Sequence, residues 1–241
     1  VYKRQVPAVT YGGKKLVKNT DYTVSYSKNT AIGQASVKIT GKGLYKGTKT
    51  VNFNIRPATV TKLKVSSTGE KSVKLSWKKV TGADSYAIYR YDNTSKKWQR
   101  IKTVKAVSFT DSGLARAKGY SYKVKAVKKS GGKEYISASY SKAIEAVTKP
   151  AKASCTAKSA GSGNIEVSWK AVGGASGYEI YSSSNGSDYV KSAKVGGSKK
   201  SAIVSGFEPY SLRMVKVRAY KTVNGKTSYG AFSQAVMVIV R

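Results

Sequence analysis

The sequence predicts an all-β protein, three β-sandwich modules in a row, and three observations carry that expectation. The chain is rich in Tyr (18) and Gly (23), with Val, Ser and Thr throughout and few Leu, the vocabulary of strands and turns. Short runs alternate apolar and polar residues, the period of a half-buried strand. The chain also repeats itself: "WKKVTGADSYAIYRY" from Trp77 and "WKAVGGASGYEIYSS" from Trp169 stand 92 residues apart. A period near 90 with several short strands per copy implies a pair of sandwich domains.

Residues 1–5, "VYKRQ", read as a translated sequencing-adapter end and are set aside from the fold, so the first module is expected to be cut at residue 6. Residues 6–56 carry the runs "DYTVSY", "ASVKIT" and "KTVNFNI" between Gly and Asn turns. This stretch resembles a short Ig-like repeat of bacterial surface proteins, through Asp21-Tyr22, Asn29, Gly33, Gly41, Gly43, Tyr45 and Gly47. About 50 residues is small for a sandwich that closes without staples, so the module is expected to be truncated. "RPATV" and "VTKPAK" are short, Pro-marked linkers that bound modules at 57–148 and 149–241, a semi-rigid rod.

Offset by 92, the two copies match without a gap from Leu63 to Tyr89. In "VKLSW", Val73, Leu75 and Trp77 share one face, Lys74 and Ser76 the other; "YAIYR" is the next strand. Trp77, Tyr86, Tyr120, Trp169 and Tyr178 are the expected structural core. Trp in the second strand, Tyr in the third and Leu114 six residues before Tyr120 resemble the fibronectin type III fold, as in surface and secreted proteins of Gram-positive anaerobes. That resemblance implies a tyrosine corner at Tyr120, whose hydroxyl ties a loop to the backbone. The second copy places Arg213 there, with Tyr210 out of register, so its corner is expected to be altered. "KKSGGKEY" and "KTVNGKTSY" read as closing hairpins.

The charge is extreme, 45 Lys and Arg against 11 Asp and Glu with no His, and the excess runs along the whole chain. Only 8 of the 45 are Arg, and a diffuse Lys coat suits loose attraction to a polyanion better than bidentate recognition. "YKVKAVKK" and "VKVRAY" place Lys123 with Lys125, and Lys216 with Arg218, on outward strand faces. They read either as solvated faces that discourage edge pairing or as contacts for a cell-wall polyanion or acidic glycan. Trp98 is either an edge-strand aromatic or a sugar-stacking platform.

Without His, the usual general base and commonest metal ligand are missing. Cys155 aligns with Leu63 and reads as a small core residue, and the carboxylates show no metal-ligand or glycosidase spacing. No cofactor, metal or catalytic residue is therefore expected, no specific nucleic acid, and no apolar run reaches the roughly 20 residues of a membrane helix. The expected function is a monomeric, non-catalytic extracellular stalk, cell-surface or secreted, with further domains upstream. The alternatives are accessory modules of a secreted glycoside hydrolase or peptidase, and an adhesin or carbohydrate-binding module.

Overall fold

The computed structural model describes residues 7–241, and no helix occurs among them. The adapter-like residues 1–5 lie outside the described residues. The protein is an all-β sandwich-domain protein. Two compact units divide it: one holds the described residues up to Val60 with Lys79–Ala87 and Val124–Ser141, the other Thr61–Lys78, Ile88–Lys123 and Lys142–Arg241.

In the first unit, β1 (Thr10–Tyr11) and β2 (Lys14–Lys15) make a two-stranded ribbon around Gly12-Gly13, both at positive φ. A three-stranded antiparallel meander follows, β3 (Tyr22–Ser27), β4 (Gly33–Gly41) and β5 (Thr48–Ile55). Its alternation buries Tyr22, Ala35, Val37 and Ile55. So short a unit closes partly through polar ties. The Asp21 carboxylate accepts the Val17 N–H at 2.8 Å, and the Tyr22 hydroxyl donates to the Pro7 carbonyl at 3.2 Å. The "GKGLYKG" loop folds back on β4, where the Gly41 N–H donates to Gly47 at 3.0 Å. A Cβ at Gly41 would meet the Tyr45 carbonyl, which is why glycine stands there. Elsewhere in this unit a Cβ on Gly82 would lie 2.9 Å from the Ile32 methyl, and Arg56 donates to the Ile136 carbonyl at 3.2 Å.

The first repeat supplies β6 (Lys64–Thr68), β7 (Ser72–Ser76), β8 (Ser85–Asp92), β9 (Lys97–Val104), β10 (Ser108–Ser112), β11 (Gly119–Ser130), β12 (Lys133–Ile136) and β13 (Ile144–Val147). They pair as β10-β7-β6 and β12-β11-β8-β9, with β13 also on β11. The second repeat reproduces the plan with β14 (Cys155–Gly161), β15 (Asn164–Trp169), β16 (Gly177–Ser183), β17 (Val190–Gly196), β18 (Ser201–Val204), β19 (Leu212–Val223), β20 (Lys226–Tyr229) and β21 (Val236–Ile239). Its sheets are β14-β15-β18 and β17-β16-β19-β20, with β21 on β19. A three-stranded sheet beside a five-stranded one, whose two short final strands pair with successive stretches of β11 or β19, is the fibronectin type III-like arrangement that the tryptophan and tyrosine spacing implies.

Alternation decides which side chains go inside. Val73, Leu75 and Trp77 are buried while Lys74 is exposed; Ile165, Val167 and Trp169 are buried on β15. In the second repeat these three join Tyr178 and Ile180 of β16 and Val215, Val217 and Ala219 of β19 in one core, so the two sheets meet face to face. Each fully buried Val, Ile or Leu contributes about 1.5–3 kcal/mol against exposure. The hairpins turn on Gly131-Gly132 and Asn224-Gly225, all at positive φ, as two-residue turns of the primed kind require.

Both repeats share two polar ties at equivalent positions, and a backbone corner whose acceptor differs by one residue. The buried Tyr86 and Tyr178 hydroxyls accept the Val80 and Val172 N–H groups at 2.9 and 2.7 Å. Ser141 and Ser233 hydroxyls each accept a β11 or β19 N–H, from Val124 and Val217, at 3.0 Å. Backbone corners at Ala117 and Tyr210 both take positive φ, where their N–H groups reach Lys149 and Val240.

Two expectations need adjusting. Tyr120 is only half-buried: its hydroxyl accepts the Ala115 N–H at 2.9 Å, and the Arg90 guanidinium lies 5.8 Å over its ring. Cys155 is half-buried too, its thiol 3.1 Å from the Ser233 hydroxyl, because it lies at the start of β14 where the core opens. In the second repeat Arg213 takes the corner position and lays its guanidinium 5.1 Å from the Phe207 ring, the residue standing for Leu114. Ring and cation replace the phenol tie.

Candidate functional site

The sequence singles out Lys123, Lys125, Lys216 and Arg218, and the structure places all four half-buried on β11 and β19. They alternate with Val124 and Val217, which point into the cores, so they stand on the outer face of each five-stranded sheet. There they are not simply solvated. Lys123 lies 4.3 Å from the Trp98 ring centre and Lys125 4.2 Å from that of Tyr140. Lys216 sits 3.4 Å over Tyr189 and 4.5 Å from Phe232, and Arg218 lies 4.1 Å over Tyr229 and 4.9 Å from Phe232. Trp98 corresponds to Tyr189 and Tyr140 to Phe232, so both repeats carry the same ladder of cations between aromatics.

Each such contact contributes about 0.5–1 kcal/mol where solvent reaches it. The ladder keeps the charge, since a ring neutralises nothing, but it fixes the side chains flat against the sheet. Trp98 thereby has Lys123 over its ring and Tyr91 beside it, in an edge-type contact with ring centres 5.4 Å apart. Burial lowers the affinity of Lys125 for its proton, helped by the charge of Arg56; its ammonium also donates to the Ala138 carbonyl at 3.1 Å.

Two buried acids, one per repeat, escape a sequence reading that looks for paired carboxylates. Glu179 on β16 faces Arg218 across the strands, and its side chain is 2% exposed. One carboxylate oxygen accepts Arg218 Nε at 3.0 Å and Nη2 at 2.7 Å, and Lys191 stands 3.5 Å from the other. Burial pushes the carboxyl up, but the Arg218 bonds and charge, with Lys191, outweigh it and hold the group below its ordinary value. Asp111 on β10 accepts Arg90 at 2.7 Å and the Tyr122 hydroxyl at 2.8 Å through one oxygen. Burial and that bond push the Tyr122 phenol far above its ordinary range; burial pulls Arg90 down, but the Asp111 bond more than restores it.

A signal for both was present. Asp111 aligns with Val204, and Glu179 with Ala87, so each acid interrupts an inward or two-sided apolar position of its sister copy. Arg90 and Tyr122 likewise align with Ser182 and Val215. These are local solutions to a buried charge. No cluster of three or more metal-ligating side chains occurs among the described residues. A shallow recess of about 500 Å³ is lined by Lys64, Val65 and Thr68 of β6, Ile144–Val147 of β13 and Lys226–Ser228 of β20. Its one acid, Glu145, accepts Asn224 Nδ2 at 3.1 Å.

The strand order defines this as an all-β protein with two fibronectin type III-like repeats. No family model matches the chain. A curated protein named poly(3-hydroxybutyrate) depolymerase, from Ralstonia pickettii, is 42% identical over 100 residues, 42% of this chain. That stretch amounts to 18% of the depolymerase's own length. Among solved structures, the chain is similar to the FN1–FN3 domains of chicken CNTN1, at 17% identity and TM-score 0.41 over 86% of this chain and 76% of that one. It is also similar to a two-domain fibronectin type III segment of chicken tenascin, at 19% identity and TM-score 0.42, over 78% of this chain and 99% of that one.

Proposed function

We propose that this chain is a non-catalytic spacer from a larger bacterial protein, displayed on the cell surface or secreted, that holds another domain at a distance. The observation that carries the reading is how its candidate reactive groups are used. Glu179 and Asp111 are held by arginines, Cys155 rests on Ser233, and the exposed-face cations are stacked on rings. Each is spent on holding a sandwich together, and two sandwiches in series resist extension through their interstrand hydrogen bonds. Pulling the chain end to end should give separate unfolding events for the repeats. Each should release on the order of 280 Å, from about 3.3–3.6 Å per extended residue less the folded length. One event spanning both repeats would contradict the reading.

A second role, loose affinity for an acidic wall polymer or glycan, is supported by the net charge of +34 and its even spread. Retention on an anionic polymer should fall steeply with salt, since exposed charges are screened beyond about 8 Å at physiological ionic strength. Salt-independent retention would remove it.

One observation favours an accessory role beside a catalytic domain: the likeness to a stretch of a protein named for depolymerising poly(3-hydroxybutyrate). On this reading the chain spaces or orients such a domain on its polymer. The chain alone should release no 3-hydroxybutyrate from the polyester. Co-sedimentation with polyester particles, resistant to salt, would favour this role over the wall polyanion; turnover by the chain itself would overturn the non-catalytic reading.

A further inference from the structure

The end of the second repeat exposes a set of apolar side chains that its sister repeat covers. Tyr210 is 86% exposed, Met237 68%, Ile239 62% and Leu212 44%. Leu212 pairs with Ile239 across β19 and β21, and Met237 shares the outer face of β21 with Ile239, so three of the four adjoin. Exposed apolar surface of this kind marks an interaction site more often than chance.

The corresponding residues of the first repeat are Ala117, Gly119, Glu145 and Val147, and there Ala117 and Val147 are each only 5% exposed. What covers them is the leading end of the next sandwich. A Cβ on Gly174 would lie 3.1 Å from the Ala117 methyl, and a Cβ on Gly119 would lie 2.9 Å from Val223. Asn224 and Lys226 of the β19–β20 hairpin donate to the Glu145 side chain and carbonyl at 3.1 and 2.9 Å. A Gly-containing turn and a hairpin tip thus cap a strand end. Where the first repeat offers Gly119 and Glu145, the second offers Leu212 and Met237. The same end is more apolar.

We propose that Tyr210, Leu212, Met237 and Ile239 form the docking face for a further fibronectin type III-like module joined in tandem, capping β19 and β21 with its own glycine turn and hairpin. The inference rests on the spacer reading and adds the rule by which successive modules stack. Four side chains are too few for a free partner, since stable interfaces bury about 1,200–2,000 Å². A module on a short linker meets the face at a millimolar effective concentration, so a small contact suffices. A second copy is opposed by the net charge of +34 on each chain.

The test extends the chain past Arg241 with a second copy of Pro150–Arg241 carrying Met237→Leu, so that the original thioether is read separately. Hydrogen peroxide oxidation of Met237 should slow at least five-fold against the unextended chain. Gly174→Trp in the appended copy should restore the fast rate. An unchanged rate in the extended chain overturns the proposal. A check independent of the appended copy's folding uses the 241-residue chain itself. Val223→Asp should raise hydrogen exchange at Gly119 and Ile144–Val147 at least ten-fold, and unaltered exchange there would remove the template and the proposal with it. Either failure leaves the separate unfolding events under force untouched, so the spacer reading is judged on its own measurement.

Discussion

Arg218→Ala is the most informative single change in the second repeat. Glu179 is held by two guanidinium bonds of 3.0 and 2.7 Å, with Lys191 farther off at 3.5 Å. Removing the arginine leaves a carboxylate inside the sheet with only the more exposed lysine and the Tyr181 hydroxyl, at 3.3 Å, near it. Breaking a buried pair in this way costs about 3–5 kcal/mol. Because Lys191 remains and Arg218 is 23% exposed, the lower end, about 3 kcal/mol, is expected. That figure includes the stacking on Tyr229, about 0.5–1 kcal/mol. At about 4–8 °C per kcal/mol for a domain of this size, the midpoint of the transition should fall by roughly 12–24 °C.

The pH dependence follows from the direction of the Glu179 shift. Its folded value is depressed below the ordinary 4.5, so the stability it supplies is fully present above that value. It is lost as pH falls through the depressed one. The difference between wild type and Arg218→Ala, from urea unfolding across pH, should be largest near neutrality and shrink below about pH 4. The first repeat carries Ala87 and Lys125 at these positions. Grafting that solution, Glu179→Ala with Arg218→Lys, should therefore recover most of the lost stability, because no buried carboxylate is then left without its partner. A loss under about 0.5 kcal/mol for Arg218→Ala, or one that ignores pH, would class the pair with surface salt bridges and refute the reasoning.

Three further outcomes are expected. Tyr122→Phe should leave the ultraviolet amplitude of native tyrosine ionisation in alkali unchanged, because burial and Asp111 keep that phenol protonated; a lost amplitude would mean Tyr122 titrates freely. Tyr120→Phe should cost about 0.5–1.5 kcal/mol by urea unfolding, the value of one net hydrogen bond, and no measurable loss would mean the corner tie is idle. Replacing Lys123, Lys125, Lys216 and Arg218 by Gln should weaken retention on an anionic polymer no more than replacing four cations such as Lys14, Lys97, Lys152 and Lys170. A selective collapse of retention would turn the ladder from a diffuse contributor into a specific site.

Much of this protein was legible in its residues because duplication made the chain its own reference. The period of two in "VKLSW" decided that Val73, Leu75 and Trp77 go inward, since a pleated strand has only two faces. The 92-residue offset paired Trp77 with Trp169 and Tyr86 with Tyr178, and both pairs are buried. Glycine and asparagine at the hairpin tips announced turns that need positive φ. Arg213 standing in the corner position foretold an altered second corner.

Tertiary structure alone decided what the charged residues do. Alternation put Lys123 and Lys216 outside, but whether an outward lysine meets water or a ring depends on what the neighbouring strands bring beside it. Trp98 and Tyr189 are supplied by β9 and by the loop before β17, at distances in sequence that no local pattern encodes. Glu179 could be matched to Arg218 only once the register of β16 against β19 was known, because a one-residue slip would send the two to opposite faces. The two copies share a backbone plan because alternation and turns act locally. They differ in their buried charges because those depend on partners brought together across the sheet.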